Sequence, residues 1–210
     1  MTTADETTDE TADEYGETYT DYQRNRSALR RTLRRPWLRA AAGFVSGPTV
    51  DLGCGVGELL VRLPEGSVGL EINRATVAHC QAEGLDVSYY DGTEDDWSLG
   101  PVRERDTAFE SLVMSHVLEH LDEPMDILGR VLRGAEGAGI RRVLVQVPGP
   151  AGYRTDATHR TFVDRPMLVD PAVTGGTSFA LDRSSYFPGN VRRIGDWFPY
   201  HELRALYVRT

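Results

Sequence analysis

From Thr49 onward, short apolar runs alternate with segments of helical period, and turn residues punctuate nearly every junction. The apolar runs predict strands near 48–52, 67–71, 86–90, 109–115 and 140–147, with Pro148-Gly149-Pro150 closing the fifth. Helices are predicted between them at 56–63, 74–83, 94–98 (short) and 123–135. Strand and helix in strict alternation is the pattern of a parallel sheet with helices on both faces, an α/β fold. Ser178–Tyr186 and Glu202–Arg209 read as a final antiparallel pair joined by Asn190–Tyr200. Upstream, Tyr19 to Val45 has helical character in two pieces broken at Pro36, with Leu29, Leu33, Trp37, Leu38 and Phe44 as its apolar contacts. The expected organisation is an acidic tail over 1–18, a helical appendage over 19–45 and one α/β domain over 46–210.

Composition narrows this picture without redirecting it. A chain of 210 residues, 40% of them hydrophobic, is long enough for one α/β domain with a full core and too short for two large ones. No apolar run approaches the ~20 residues that span a bilayer, and the acidic start lacks a charged-then-apolar signal pattern, so a cytoplasmic protein is expected. Two cysteines, Cys54 and Cys80, make a thiolate metal cage impossible and a structural disulfide unexpected in that compartment. All 23 basic residues are arginine, which excludes lysine-dependent catalysis. Of the net charge of −9, six negative charges fall in residues 1–14 with no base among them, leaving −3 for the remainder. Such a Thr/Asp/Glu tract is expected to be a disordered, solvating tail, and the basic footprint of a general nucleic-acid binder is missing.

The densest chemical signal is Thr49-Val-Asp-Leu-Gly-Cys-Gly-Val-Gly-Glu, an apolar strand running into a glycine turn and a predicted helix start. Glycines at such a turn let the backbone approach a ligand, and a following helix would aim its free N–H groups into the turn. Dinucleotide-binding turns read G-x-G-x-x-G and cradle a pyrophosphate. Here Gly53, Gly55 and Gly57 are spaced G-x-G-x-G behind Asp51, a carboxylate that repels phosphate and suits a cation. S-adenosylmethionine carries an ammonium and a sulfonium and no phosphate. Glu71 ends the second predicted strand, where a ribose diol is held in doubly wound sheets, and Asp91-Gly92 ends the third, placed to reach an adenine amino group.

On Asp51-Leu-Gly-Cys-Gly-Val-Gly57, Glu71, Asp91-Gly92 and Ser115-His-Val-Leu-Glu-His-Leu-Asp-Glu-Pro124, the chain resembles the class I S-adenosylmethionine-dependent methyltransferases, particularly their small-molecule branch, over roughly residues 45–208. The resemblance implies a Rossmann-like, doubly wound sheet of seven mostly parallel strands with an antiparallel last strand. It also implies that S-adenosylmethionine lies over the carboxyl ends of the first four strands. The cofactor set it implies is Asp51, Gly53, Cys54, Gly55, Gly57, Glu71, Ile72, Asp91, Gly92 and Ser115, with Tyr22 and Arg26 from a covering N-terminal segment.

The segment after the fourth strand should face the transferable methyl. If Ser115 onward is helical, His116, Glu119 and His120 share a face, and His159, after the fifth strand, should lie nearby. Three readings of this constellation stay open. His116, His120 or His159 removes a proton from the acceptor as general base; His116, Glu119, His120 and His159 hold a divalent metal that orients and acidifies an acceptor oxygen; or the group is structural and contacts only the cofactor. Tyr153, Phe162, Tyr186, Phe187, Trp197, Phe198 and Tyr200 are available for an acceptor wall, and Arg154 and Arg160 for an acceptor carboxylate. The sequence therefore leads to a methyltransferase acting on a small molecule at oxygen, nitrogen or carbon. The alternatives are a metal-dependent RNA 2′-O-methyltransferase-like enzyme, a non-catalytic protein that binds S-adenosylmethionine, and a nicotinamide-dependent oxidoreductase.

Overall fold

The computed structural model describes residues 36–210. The acidic tail, the first part of the helical appendage, Tyr22 and Arg26 fall outside the described residues. Seven strands form one sheet: β1 (Thr49–Leu52), β2 (Val68–Glu71), β3 (Val87–Tyr89), β4 (Ser111–Ser115), β5 (Arg142–Pro148), β6 (Phe179–Phe187) and β7 (Glu202–Arg209). Their order is β3-β2-β1-β4-β5-β7-β6. The first five pair in parallel, whereas β7 runs antiparallel to both β5 and β6. Each predicted strand is present, displaced by a residue or two at its ends.

β1, β2, β4 and β5 are buried on both faces, which explains why they read as continuous apolar runs rather than alternating ones. Successive side chains go to opposite faces. Leu112 and Met114 join the larger core with Leu128, Val131, Leu132 and Ala135 of helix α2 (Pro124–Gly137). Val113, Leu144 and Leu206 join a smaller core with Ala41 and Phe44, next to the helical residues 36–42. The i, i+3, i+4, i+7 spacing in α2 is one helical stripe, and Pro124 opens that helix where a missing N–H costs nothing. Helix α1 (Arg74–Ala82) is capped by Asn73, whose side chain accepts the Thr76 N–H at 2.9 Å.

Two predicted helices are not helices. Residues 56–63 hold a single 3₁₀ turn, Leu60–Arg62, since Gly55 and Gly57 both take left-handed φ and Pro64 stops the chain soon after. Residues 94–98 are hydrogen-bonded turns in which Asp96 and Trp97 have positive φ, and the helical turn comes later, at Gly100–Arg103.

Candidate functional site

The carboxyl ends of β1, β2, β4 and β5 open into one cleft of about 580 Å³. Asp51, Gly53, Cys54, Gly55, Glu71, Ile72, Asp91, Gly92 and Ser115 all line it; Gly57 lies just behind the loop, where its left-handed φ lets Leu85 pack against it. The loop's own donors are already committed. Gly53 and Cys54 donate to Leu70 O, Gly57 donates to Cys54 O, and Gly55 donates to Glu71 Oε2 at 2.9 Å. With only a 3₁₀ turn behind the loop and four of its N–H groups bound to β2 or within the loop itself, this turn lacks the anion cradle of a pyrophosphate site. Cys54 and Cys80 are buried free thiols packed together beneath it.

Negative charge gathers in the cleft instead. Asp51 is 2% exposed and its Oδ2 has no hydrogen-bond partner. Burial, with Glu71 as a like charge nearby, pushes its carboxyl up to about 7. Burial raises Glu71 too, against the Asn73 and Gly55 N–H groups that hold its two oxygens at 2.9 Å each. A buried carboxylate pair without a counter-charge suits a cationic ligand group. Asp91 turns Oδ1 onto the Thr93 N–H and hydroxyl, which fixes the loop following β3.

At the other end of the cleft, His116, His120 and His159 come together around Glu119. The expected shared helical face is not formed. His116 takes φ 58 at the end of β4, and only Leu118–His120 turn as a 3₁₀ helix. His116 lies between two carboxylates: Nδ1 is 3.1 Å from Glu119 Oε1 and Nε2 is 3.1 Å from Glu202 Oε1. Burial pulls its pKa down, but the two carboxylates outweigh that and carry it up to about 9. Glu202 is held by His116, by Gln146 Nε2 at 3.0 Å and by Arg204 Nη2 at 3.0 Å; burial raises its carboxyl, and these partners bring it below its ordinary range.

His120 and His159 face each other, with ring centroids 4.8 Å apart. His159 Nδ1 is 2.8 Å from Tyr153 O, and His120 Nδ1 is 3.3 Å from Thr158 O. A carbonyl only accepts, and the Thr158 hydroxyl 3.2 Å from His120 Nδ1 spends its own hydrogen on Asp156 Oδ1, so each Nδ1 carries a hydrogen and Nε2 is the nitrogen left to accept in a neutral ring. Burial lowers the His120 pKa and favours that neutral form. The backbone N–H groups of Arg160 and Thr161 donate to Glu119 O at 2.8 and 3.1 Å, tying the segment after β5 to the turn after β4.

Of the other expected acceptor residues, Tyr200 lines the cleft and Tyr153 stacks on His159 at 5.2 Å. Arg154 instead donates to Asp196 O, and exposed Arg160 pairs with Asp122 at 3.0 Å, so neither guanidinium enters the cleft. Glu202, absent from the sequence-derived set, belongs to the site. The available signal was Glu202 and Arg204 two apart at the start of a strand that is apolar from Ala205 to Val208, hence on one face and buried against Gln146 of β5.

The protein family described as "Methionine biosynthesis protein MetW" matches residues 43–153, just over half of the chain and the whole of β1 through β5. No curated protein matches. Among solved structures, the chain is similar to a SAM-dependent methyltransferase from Archaeoglobus fulgidus, with 19% identity, TM-score 0.65, and coverage of 92% of this chain and 100% of that one. It is similar also to magnesium protoporphyrin IX methyltransferase from Synechocystis with bound SAH, at 14% identity, TM-score 0.62, and coverage of 96% and 99%. A third likeness is the methyltransferase domain of a bacterial Hen1, at 15% identity, TM-score 0.56, and coverage of 86% and 98%.

Proposed function

The chain belongs to the MetW family and has the class I S-adenosylmethionine methyltransferase fold, and on that basis we propose that it transfers a methyl group from S-adenosylmethionine to a small-molecule acceptor. The observation that carries this reading is Asp51. Its buried carboxylate has an oxygen without a partner at the floor of a glycine loop, beside Glu71, where a cationic amino acid moiety is the fitting complement. The MetW match and the likeness to a structure with bound SAH support the same cofactor.

In this reading Asp51 holds the ammonium, Glu71 the ribose hydroxyls through the lone pairs its two N–H partners leave free, and Asp91 with Gly92 the adenine edge. Exposed Ile72 packs against the base. S-adenosylmethionine supplies a methyl made electrophilic by its sulfonium. The protein's own share is to align the acceptor with that methyl and to exclude water. His120 and His159 present their Nε2 atoms where the acceptor would sit, Tyr153 backs His159, and Trp37, Pro199 and Tyr200 form the apolar wall.

Charge favours a neutral or cationic small acceptor over nucleic acid. Six carboxylates line the cleft (Asp51, Glu58, Glu71, Asp91, Asp156 and Glu202), and no arginine does among the described residues. A volume of about 580 Å³ is that of a small-molecule site.

Thermal unfolding with S-adenosylhomocysteine or NAD tests the cofactor. At a hundred times Kd a ligand stabilises by about 2.7 kcal/mol, which raises Tm by several degrees. S-adenosylhomocysteine is expected to do so and NAD is not; the opposite result overturns the reading. Labelled-methyl transfer to a panel of neutral and cationic alcohols and amines, with short RNA as a further arm, tests the acceptor. Transfer to RNA alone would overturn the small-molecule assignment.

A further inference from the structure

In the acceptor end, methyl transfer alone leaves the chemistry of Glu119 unexplained. Its side chain is fully buried. Oε1 meets His116, but Oε2 is buried with no hydrogen-bond partner. Leaving a carboxylate oxygen dry and unpaired costs free energy unless something else binds it. Glu119, His120 and His159 each offer a ligand atom, and these atoms lie within 4.8 Å of one another. A carboxylate oxygen and two imidazole nitrogens grouped this closely are a donor set that a small inward shift would close around one cation.

We infer that Glu119, His120 and His159 form a three-ligand site for a divalent transition-metal ion. The surroundings are those of a built site. Each histidine carries its hydrogen on Nδ1 and directs it to an oxygen, His159 to Tyr153 O and His120 to Thr158 O, which fixes the tautomer and frees Nε2 for a metal. The Thr158 hydroxyl is oriented in turn by Asp156 Oδ1 at 2.6 Å. His116 is not a ligand. Both its nitrogens are taken by carboxylates, and its part is to hold Glu119 by Oε1, the oxygen that also lies 4.0 Å from His159 Nε2. Two backbone bonds from Arg160 and Thr161 to Glu119 O keep the two ligand-bearing segments in register.

Two imidazoles and one carboxylate select zinc, cobalt(II) or manganese(II) over magnesium or calcium, which prefer all-oxygen shells. Three protein ligands leave coordination positions open toward the cleft that His120 and His159 line. The inference rests on the methyltransferase reading of that cleft and deepens it, because an open metal position there selects an acceptor that binds through oxygen.

The test uses untagged full-length protein, freed of metal with a chelator and desalted. Cobalt(II) is titrated by its visible absorption and zinc by calorimetry, and S-adenosylhomocysteine binding is measured on the same samples. The expected result is one ion per chain with Kd in the micromolar range or below. Glu119→Gln and His159→Gln should each weaken it by at least about tenfold while S-adenosylhomocysteine affinity stays within about twofold. His120→Asn, on the more exposed ring, serves if either buried variant fails to fold, and should weaken binding by the same factor. Absence of cobalt and zinc binding, binding unchanged in these variants, or preference for magnesium overturns the metal site. Metal binding that persists while S-adenosylhomocysteine fails to bind overturns the cofactor reading instead, so the two failures are distinguishable.

Discussion

Asp51 carries the most consequence for its size. Its carboxyl is raised from 3.8 to about 7, first by burial and then by Glu71, so the folded apo protein holds a proton there that the unfolded chain releases. Stability from this group is fully present below about pH 4 and is lost as pH rises toward 7. Urea denaturation across pH 4 to 8 should show that decline in the apo protein, and Asp51→Asn should flatten it; a decline unchanged in the variant would assign it to other groups. A cationic ligand group reverses the preference. S-adenosylhomocysteine binding near pH 6 should therefore release a proton, seen as a buffer-dependent enthalpy that Asp51→Asn abolishes. Asp51, Glu71 and Asp91 were legible in the sequence because each acid stands at the end of an apolar run. Glu202 was not, because its meaning comes from Gln146 and His116, which lie far away in the chain.

At the scale of elements, sequence patterning located every strand of the described residues but misjudged the segment after β1. The run Gly57-Glu-Leu-Leu-Val-Arg-Leu63 has helical composition, yet it is bracketed by left-handed Gly55 and Gly57 and by Pro64, which leave room for one 3₁₀ turn. Local propensity lost there to the loop's bonding with β2. That bonding demands glycine. Gly53 has φ 73, and a Cβ on it would lie 2.5 Å from Val117 Cγ2, in the segment that leads from β4 to the histidines. Gly53→Ala must either push Val117 aside or distort the loop. It should lower stability by about 1–3 kcal/mol and weaken S-adenosylhomocysteine by at least about tenfold. Calorimetry and urea midpoints check both; wild-type affinity in this variant would show that the close approach of these segments is unimportant.

For the molecule as a whole, the alternation of elements announced an α/β sheet, but contacts between its two ends are invisible to any local pattern. Trp37 is the main one. Its Nε1–H donates to Tyr200 O at 2.6 Å across 163 residues, and its ring meets Phe187 edge-on at 5.6 Å and leans on Phe198 and Tyr200. Arg204 completes the joint, with Nη2 3.4 Å from Trp37 O and its guanidinium 4.2 Å from the Phe187 ring. Since Arg204 also grips Glu202, which meets His116, the helical residues 36–42 are connected to the acceptor end through one continuous set of contacts. Trp37 itself lines the cleft, so this joint is at once structural and a wall of the binding site. Trp37→Ala should lower stability by about 2–3 kcal/mol, less than for a fully buried tryptophan because the ring is partly exposed. It should weaken S-adenosylhomocysteine in the same variant. Trp37→Phe keeps the aromatic packing and loses the hydrogen bond, about 1 kcal/mol, so an intermediate midpoint is expected. If instead Trp37→Ala unfolds at the wild-type urea midpoint and binds S-adenosylhomocysteine as tightly, the N-terminal helical residues are a passenger on the sheet and the cleft is complete without them.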